Sequence, residues 1–262
     1  MHRAQRIATA AITTGIAAAI ALTGCSTSSD NESSTSTTAT STITDPAALV
    51  SAAADATAAL KGAHLDLTVD GKIPNLTAKA VQADLVTKPK TAAKGTATVL
   101  LGKSQVSAPF VYVDQHLYAD ISNKGYVDYG NGQSIYDISV VLNPEKGLAN
   151  LLREMKNPTK TGAESINGAQ TTKLSGTVTA KTLAPLTGVN ITANHDAQVP
   201  ISVWITGDHQ LARVALTPVP RSSMTIGLSK WNETVEVSKP TKIAMPSAST
   251  TPKPADASRA PA

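Results

Sequence analysis

Cysteine occurs once in the 262 residues, at Cys25. An exported chain that relied on disulfides would carry an even number, so disulfides do not explain this one. Aromatic residues are scarce: one Phe, two Trp and five Tyr, 3% of the chain. A core built from Ala, Val and Leu lacks large space-filling rings. That suits a cavity, and it is equally what compositional bias in a GC-rich genome produces, so both readings stand. The formal net charge is only +4, and two of the positive charges, Arg3 and Arg6, lie in the first six residues. So small an excess excludes a nucleic-acid binder, which clusters Lys and Arg on one face. Lys72, Lys79, Lys88, Lys90, Lys94 and Lys103 are spaced singly and read as a solvated face. A patch facing anionic headgroups is the alternative.

Catalytic signatures are also missing. There is no Gly-x-Ser-x-Gly elbow and no phosphate-binding loop. His64, His116, His195 and His209 are scattered without metal-ligand spacing, and the carboxylates form no obvious acid–base pair. Gly130-Asn131-Gly132 reads as a turn. The expectation is a protein without catalytic residues, metal or cofactor. Catalytic groups converge in space rather than in sequence, so an enzyme acting on envelope substrates stays as a remote alternative.

What is present begins at the N-terminus. His2, Arg3 and Arg6 are followed by an apolar or small stretch, Ile7 to Leu22, and then by Leu22-Thr23-Gly24-Cys25. A positive start, an apolar middle and small residues before a cut describe a secretory signal peptide. The apolar stretch is shorter than the ~20 residues of a membrane-spanning helix. The closing four residues match the bacterial lipobox, in which the Cys thiol takes a diacylglyceryl group and cleavage falls just before it. Residues 1–24 are therefore expected to be the signal peptide and Cys25 the lipidated N-terminus. Several acyl chains on one residue anchor stably where a single chain does not. Residues 26–43 are nearly all Ser, Thr, Asn and acidic, too polar to fold on their own, and form a tether with a reach of roughly 20–25 Å. Residues 245–262 are rich in Pro, Ala, Ser and Thr and read as a disordered tail.

Between them, residues 44–244 are expected to form one folded domain. Asp45 and Pro46 signal a helix start; Leu49, Ala53, Ala56 and Leu60 recur at helical spacing, and Gly62 is the expected stop. Strands follow, alternating apolar and polar: Leu65, Leu67 and Val69; Val81, Ala83 and Leu85; Ala97, Val99 and Leu101 against Thr96 and Thr98; Val106, Ala108 and Phe110, running on to Val113. Residues 134–156 change character, with Ile138, Val141, Leu142, Leu148, Leu151, Leu152 and Met155 around an Asn143-Pro144 break. Two short helices are expected there, the second starting near Pro144. A strand pattern returns over 165–178, a helix near 180–186, and strands over 201–206, 211–217 and 223–230, with Val235 and Val237 suggesting one more. The fold class is α+β, a curved antiparallel sheet with helices packed on its apolar face. That face is either filled by the helices or stands apart from them and leaves an apolar cavity.

Several segments resemble the mycobacterial-type lipoprotein family that includes LppX, LprA, LprF and LprG, most closely the LprG and LprA members. They are Lys61 to His64 running into Val69 to Leu76, Phe110 to Tyr118, Asn143 to Leu152, Ile166 to Gly168, Val203 to Ile205, Gly207 to Leu211 and Leu228 to Trp231. The resemblance implies an antiparallel half-barrel with helices on its concave side, enclosing a large apolar cavity for acyl chains. It implies a non-catalytic carrier; the lipobox at Cys25 puts it, lipid-anchored, on the outer face of the cell membrane, with a fraction in the cell wall or shed left open. Such a carrier binds triacylglycerol, acylated phosphatidylinositol mannosides or lipoglycans and moves them toward the outer envelope. The implied partners are the lipid or glycolipid and an inner-membrane efflux-type transporter; a monomer is expected. The alternative is a structural or assembly lipoprotein that supports such a transporter. Candidate cavity residues are Leu65, Leu67, Val69, Val81, Ala83, Leu85, Ala97, Val99, Leu101, Val106 and Phe110 on the first strands. Leu148, Leu151 and Leu152 are candidates on the central helix, and Val203, Val214, Leu216, Ile226 and Leu228 on the last strands.

Overall fold

The computed structural model describes residues 44–74, 76–131, 137–188 and 195–244. The signal peptide, Cys25, the tether, the tail and residues 132–136 of the central block lie outside them. Helix α1 (Pro46–Ala58) starts as expected: the Asp45 carboxylate accepts from the Ala48 N–H at 2.8 Å, and Pro46 occupies the first turn, where its missing N–H costs nothing. Its end differs from the expectation. The helix closes at Ala59, and Gly62 instead opens the first strand. Gly62 is needed there for close packing, since a Cβ would lie 2.9 Å from the Leu85 carbonyl.

Eleven strands follow: β1 (Gly62–Asp70), β2 (Ala78–Val86), β3 (Ala92–Leu101), β4 (Ser104–Val113), β5 (His116–Ala119), β6 (Val127–Asp128), β7 (Lys156–Ile166), β8 (Ala169–Thr179), β9 (Gln198–Thr206), β10 (Leu211–Leu216) and β11 (Ser223–Ser229). Helices α2 (Leu148–Arg153) and α3 (Ala180–Thr187) and a 3-10 turn (Ile138–Val140) complete the order. All the strands pair antiparallel in one open sheet, in the order β6-β5-β4-β3-β2-β1-β11-β10-β9-β8-β7. Two meanders thus meet at a seam, β1 against β11, where Leu65 faces Leu228 and Leu67 faces Ile226. All four side chains are buried. A sheet of this width must curl. Register shifts at Ala78/Ala80, Leu211/Arg213 and along β7–β8 supply local bends. The result is the curved, unclosed antiparallel sheet of a half-barrel, with its helices on the concave face.

Those helices cover one half of that face. Leu49, Val50, Ala53 and Ala54 of α1 meet Leu148, Leu151 and Leu152 of α2, and α1 lies over β7, β9 and β10. Four expectations need correction. The second central helix starts at Leu148, not near Pro144, because Asn143 Oδ1 accepts from the Glu145 and Lys146 N–H groups and holds that stretch as a turn. The first is a single 3-10 turn. The strand expected over 165–178 is a hairpin of β7 and β8 around Asn167-Gly168, both with positive φ. β7 is almost wholly exposed and carries no alternation to read. No strand forms around Val235 and Val237. Residues 230–244 instead run as an extended strap, tied by Lys94 Nζ to the Glu236 carbonyl at 2.9 Å and by a bridge between Tyr126 and Ile243.

Candidate functional site

The other half of the concave face, over β2 to β5, holds an apolar cavity of about 170 Å3. Alternation on four strands builds its wall. Val81 comes from β2; Ala97, Val99 and Leu101 from β3; Ala108 and Phe110 from β4; Leu117 and Ala119 from β5. Thr77, Ala78, Ile121 and Ile138 complete it. Register places Ala97 opposite both Val81 and Ala108, and Phe110 opposite Ala119. Small side chains face one another there, and among the described residues only Ile138 of the 3-10 turn reaches in from a helical element. The cavity has a closed and an open end. Phe110, Leu117 and Ile138 at the closed end are buried, whereas Leu101 at the β3 terminus is 48% exposed.

Five candidate residues line this space: Val81, Ala97, Val99, Leu101 and Phe110. Val106 is half-buried at the hairpin end and is not among the lining residues. Leu65, Leu67, Val69, Ala83, Leu85, Leu148, Leu151, Leu152, Val203, Val214, Leu216, Ile226 and Leu228 lie in the packed core instead. Sequence reasoning missed the contribution of Leu117 and Ala119, on a strand of only four residues, and of Ile138, which reaches the cavity from the 3-10 turn. Alternation of Leu117 and Ala119 about Tyr118 was the available signal.

Two other recesses are larger, one with a mixed lining that is more apolar than polar and one mainly polar. One, about 820 Å3, lies on the convex face between Trp204, Trp231, Arg213 and Asp66. Two of its lining groups, Trp204 and Arg213, are bonded to a residue beside it. Glu164 accepts from Trp204 Nε1 at 2.8 Å and from Arg213 at 2.9 Å, and Lys173 stands 4.9 Å over the Trp204 ring. The bond from Arg213, then that from Trp204, lowers the Glu164 pKa. The other, about 700 Å3, lies beyond the closed end among Lys90, Tyr112, Asp114 and Asp137. Burial, then the Asp137 carboxylate, pushes the Tyr112 phenol above its ordinary value. His64 pairs with Asp84 at 2.6 Å and His116 with Asp128 at 2.9 Å, both as isolated pairs. Among the described residues no three His, Cys, Asp or Glu side chains converge as metal donors, and no helix is long and apolar enough to cross a membrane.

The family described as LppX_LprAFG lipoprotein matches residues 45–237. The lipoprotein LprA of Mycobacterium tuberculosis is 40% identical over 234 residues, covering 88% of this chain and 96% of that protein. The lipoarabinomannan carrier protein LprG of the same species is 41% identical over 228 residues, covering 85% and 91%. Among solved structures, LprF from Mycobacterium bovis superposes with a TM-score of 0.67 at 25% identity, over 74% of this chain and 96% of that one. Mycobacterium tuberculosis LppX superposes with a TM-score of 0.57, also at 25% identity, over 73% and 97%.

Proposed function

The chain belongs to the LppX, LprA, LprF and LprG lipoprotein family, and from that premise we propose that it is a non-catalytic lipid carrier. It is anchored to the outer face of the cell membrane through Cys25. It takes acyl chains of triacylglycerol, acylated phosphatidylinositol mannosides or lipoglycans into the cavity over β2–β5 and moves them toward the outer envelope, with an inner-membrane transporter as the source. The observation that carries this reading is the cavity: apolar, open at one end, and lined by small and aliphatic side chains with no catalytic group among them.

Magnitudes make the task sensible. Each CH2 exposed to water costs about 0.8 kcal/mol, so drawing a sixteen-carbon chain bare from a bilayer costs roughly 12 kcal/mol. Spontaneous transfer of a multi-chain lipid is negligible against that barrier, and a dry wall offsets most of it. The space is limited, however. An aliphatic cavity of about 150 Å3 holds a benzene-sized molecule, so 170 Å3 takes the end of one chain. A full chain requires the β3–β5 wall to move away from Ile138.

Native mass spectrometry of protein purified from its own host tests the carrier reading. Bound lipid supports it; a chain that stays empty under conditions that retain lipid on LprG overturns it in favour of a structural role. The anchor is tested separately. Cys25→Ala should shift the protein from membrane to soluble fractions, and a variant that partitions like the wild type would sink that part.

A further inference from the structure

The open end of the cavity has a particular chemistry. Leu101 lines the cavity and is also one of only three large hydrophobic side chains exposed among the described residues. It sits at the tip of the β3–β4 hairpin, whose register pairs Leu101 directly with Ser104. The turn between them is Gly102-Lys103. Gly102 has φ +63° and nothing within 4 Å of where a Cβ would be, so the tip projects freely. Glycine at the first central position suits a tight two-residue hairpin, which holds the tip rigid.

Lysines outnumber acids around this tip. Ala78 pairs with Val99, so the start of β2 with Lys79, and the loop that carries Lys72, reach the same end of the sheet. Ala119 pairs with Phe110 on β4, so the chain after β5, with Ile121 and then Lys124, turns toward that end as well. Two carboxylates, Asp70 and Asp120, lie there as well and keep their charge, each accepting a backbone N–H: Asp70 from Gly71 at 2.9 Å and Asp120 from Lys124 at 3.0 Å. Lys79 is tied to the Gly71 carbonyl. Lys72, Lys103 and Lys124 are exposed at this end of the sheet, and Leu101 at the β3 terminus is both exposed and part of the cavity lining.

We propose that this tip is a membrane-docking element for an anionic bilayer. Leu101 enters the acyl region while Lys72, Lys103 and Lys124 meet phosphate headgroups. The cavity mouth is thereby pressed onto the hydrocarbon, and an acyl chain slides from bilayer to protein without crossing water. This deepens the carrier reading and rests on it. Each lysine near an anionic leaflet strengthens adsorption about fivefold, and the attraction fades over a Debye length of about 8 Å at physiological salt.

The test uses the mature, acylated chain in vesicles. Cys25 carries lipid, so Leu101→Cys supplies a single reactive thiol for an environment-sensitive dye, and Thr98→Cys on the opposite face of the same strand is the control. In phosphatidylcholine vesicles containing phosphatidylglycerol, the dye at residue 101 should be quenched by brominated acyl chains, and the dye at residue 98 should not. Quenching at 101 should weaken in phosphatidylcholine alone and in ~1 M salt, where the Debye length shrinks to about 3 Å. Lys103→Glu with Lys124→Glu should reduce docking at least 25-fold, about fivefold for each lost lysine. The same double variant, given lipid from detergent, should still bind a full load. A dye at 101 that stays in water on anionic vesicles overturns the docking surface. Quenching that is indifferent to phosphatidylglycerol and to the double substitution overturns its anionic partner. A wild type that takes no lipid even from detergent fails the carrier reading instead, and the two failures are distinguished by that arm.

Discussion

The two meanders of this sheet share one curvature and one apolar concave face, yet they bury it differently. Over β8–β11 that face is filled. Leu174, Val203, Val214 and Ile226 are fully buried there, as are Leu148 and Leu151 of α2. Over β2–β5, among the described residues, α1, α2 and α3 make no comparable cover. The wall residues Ala97, Ala108 and Ala119 are small, and space is left where the other half has leucine. The outer faces differ too. Behind the filled half, Glu164 clamps Trp204 and Arg213 beside the β9–β10 register shift. Behind the cavity, the 230–244 strap lies across the strands and puts Lys239 5.4 Å over the Tyr118 ring. One half is thus built for stability and the other is braced from outside, so that its inside can stay empty. Close-packed interiors resist even one-methylene changes, so a binding space has to be placed where packing has been withheld.

The largest stability effect should come from emptying the filled half. Leu151 is fully buried between α2 and α1. Leu151→Ala removes its transfer energy and leaves a hole that neighbours cannot close, costing about 2–5 kcal/mol. Val99→Ala in the cavity wall borders space that already exists, so only the transfer term of two methyl groups applies, roughly 1.6 kcal/mol. Guanidinium unfolding of both variants measures the contrast. Equal cost per lost carbon in the two halves would show that the cavity wall is packed like the core.

Adding volume should reverse the ranking. Ala97 faces the cavity between Val81 and Ala108. A ring forced into a packed core costs about 1–3 kcal/mol in strain; here it enters open space. Ala97→Trp should keep the melting temperature near the wild-type value and abolish lipid loading, while Thr98→Trp on the convex face keeps both. Bound lipid per protein, measured with a thermal melt, decides the matter. An unfolded Ala97→Trp would place residue 97 in filled core, and a folded variant with a full lipid load would sink the assignment of this wall.

Much of this division could be read in the sequence, and the unread part has physical causes. Alternation over Leu65–Val69, Val81–Leu85 and Ala97–Leu101 placed the strands and their faces correctly, because one buried face and one wet face leave a period of two. It carried no information on whether the buried face meets a helix or a void. Leu65 and Val99 obey the same pattern, and only Val99 borders the cavity. That difference depends on where α1 and α2 dock, a tertiary matter. β7 went unread for the opposite reason: nearly all its side chains are exposed, so it has no apolar period. Val235 and Val237 show the converse error, an alternation of two in a strap that pairs with no strand.

The smallest effect is expected on the outer face of the filled half, and it should be visible only as a pH dependence. Glu164 accepts from Arg213 and from Trp204, and these bonds, in that order, hold its pKa below the ordinary glutamate value. A carboxyl whose folded pKa is depressed binds protons more weakly in the native state than in the unfolded one. Its contribution is therefore fully present above the unfolded pKa and is lost as pH falls through the folded one. The group is solvent-exposed, so salt screens the contribution and it stays small. Glu164→Gln should be slightly less stable than the wild type at neutral pH, and the two denaturation midpoints should converge as pH drops below the glutamate range. Lipid loading should not change at any of these pH values, since the clamp backs the half without the cavity. A gap between wild type and variant that persists at acid pH would assign the effect to hydrogen-bond geometry rather than charge. A loss of lipid loading would mean that the two halves are coupled through the sheet, and that their separation into a stable half and a binding half is wrong.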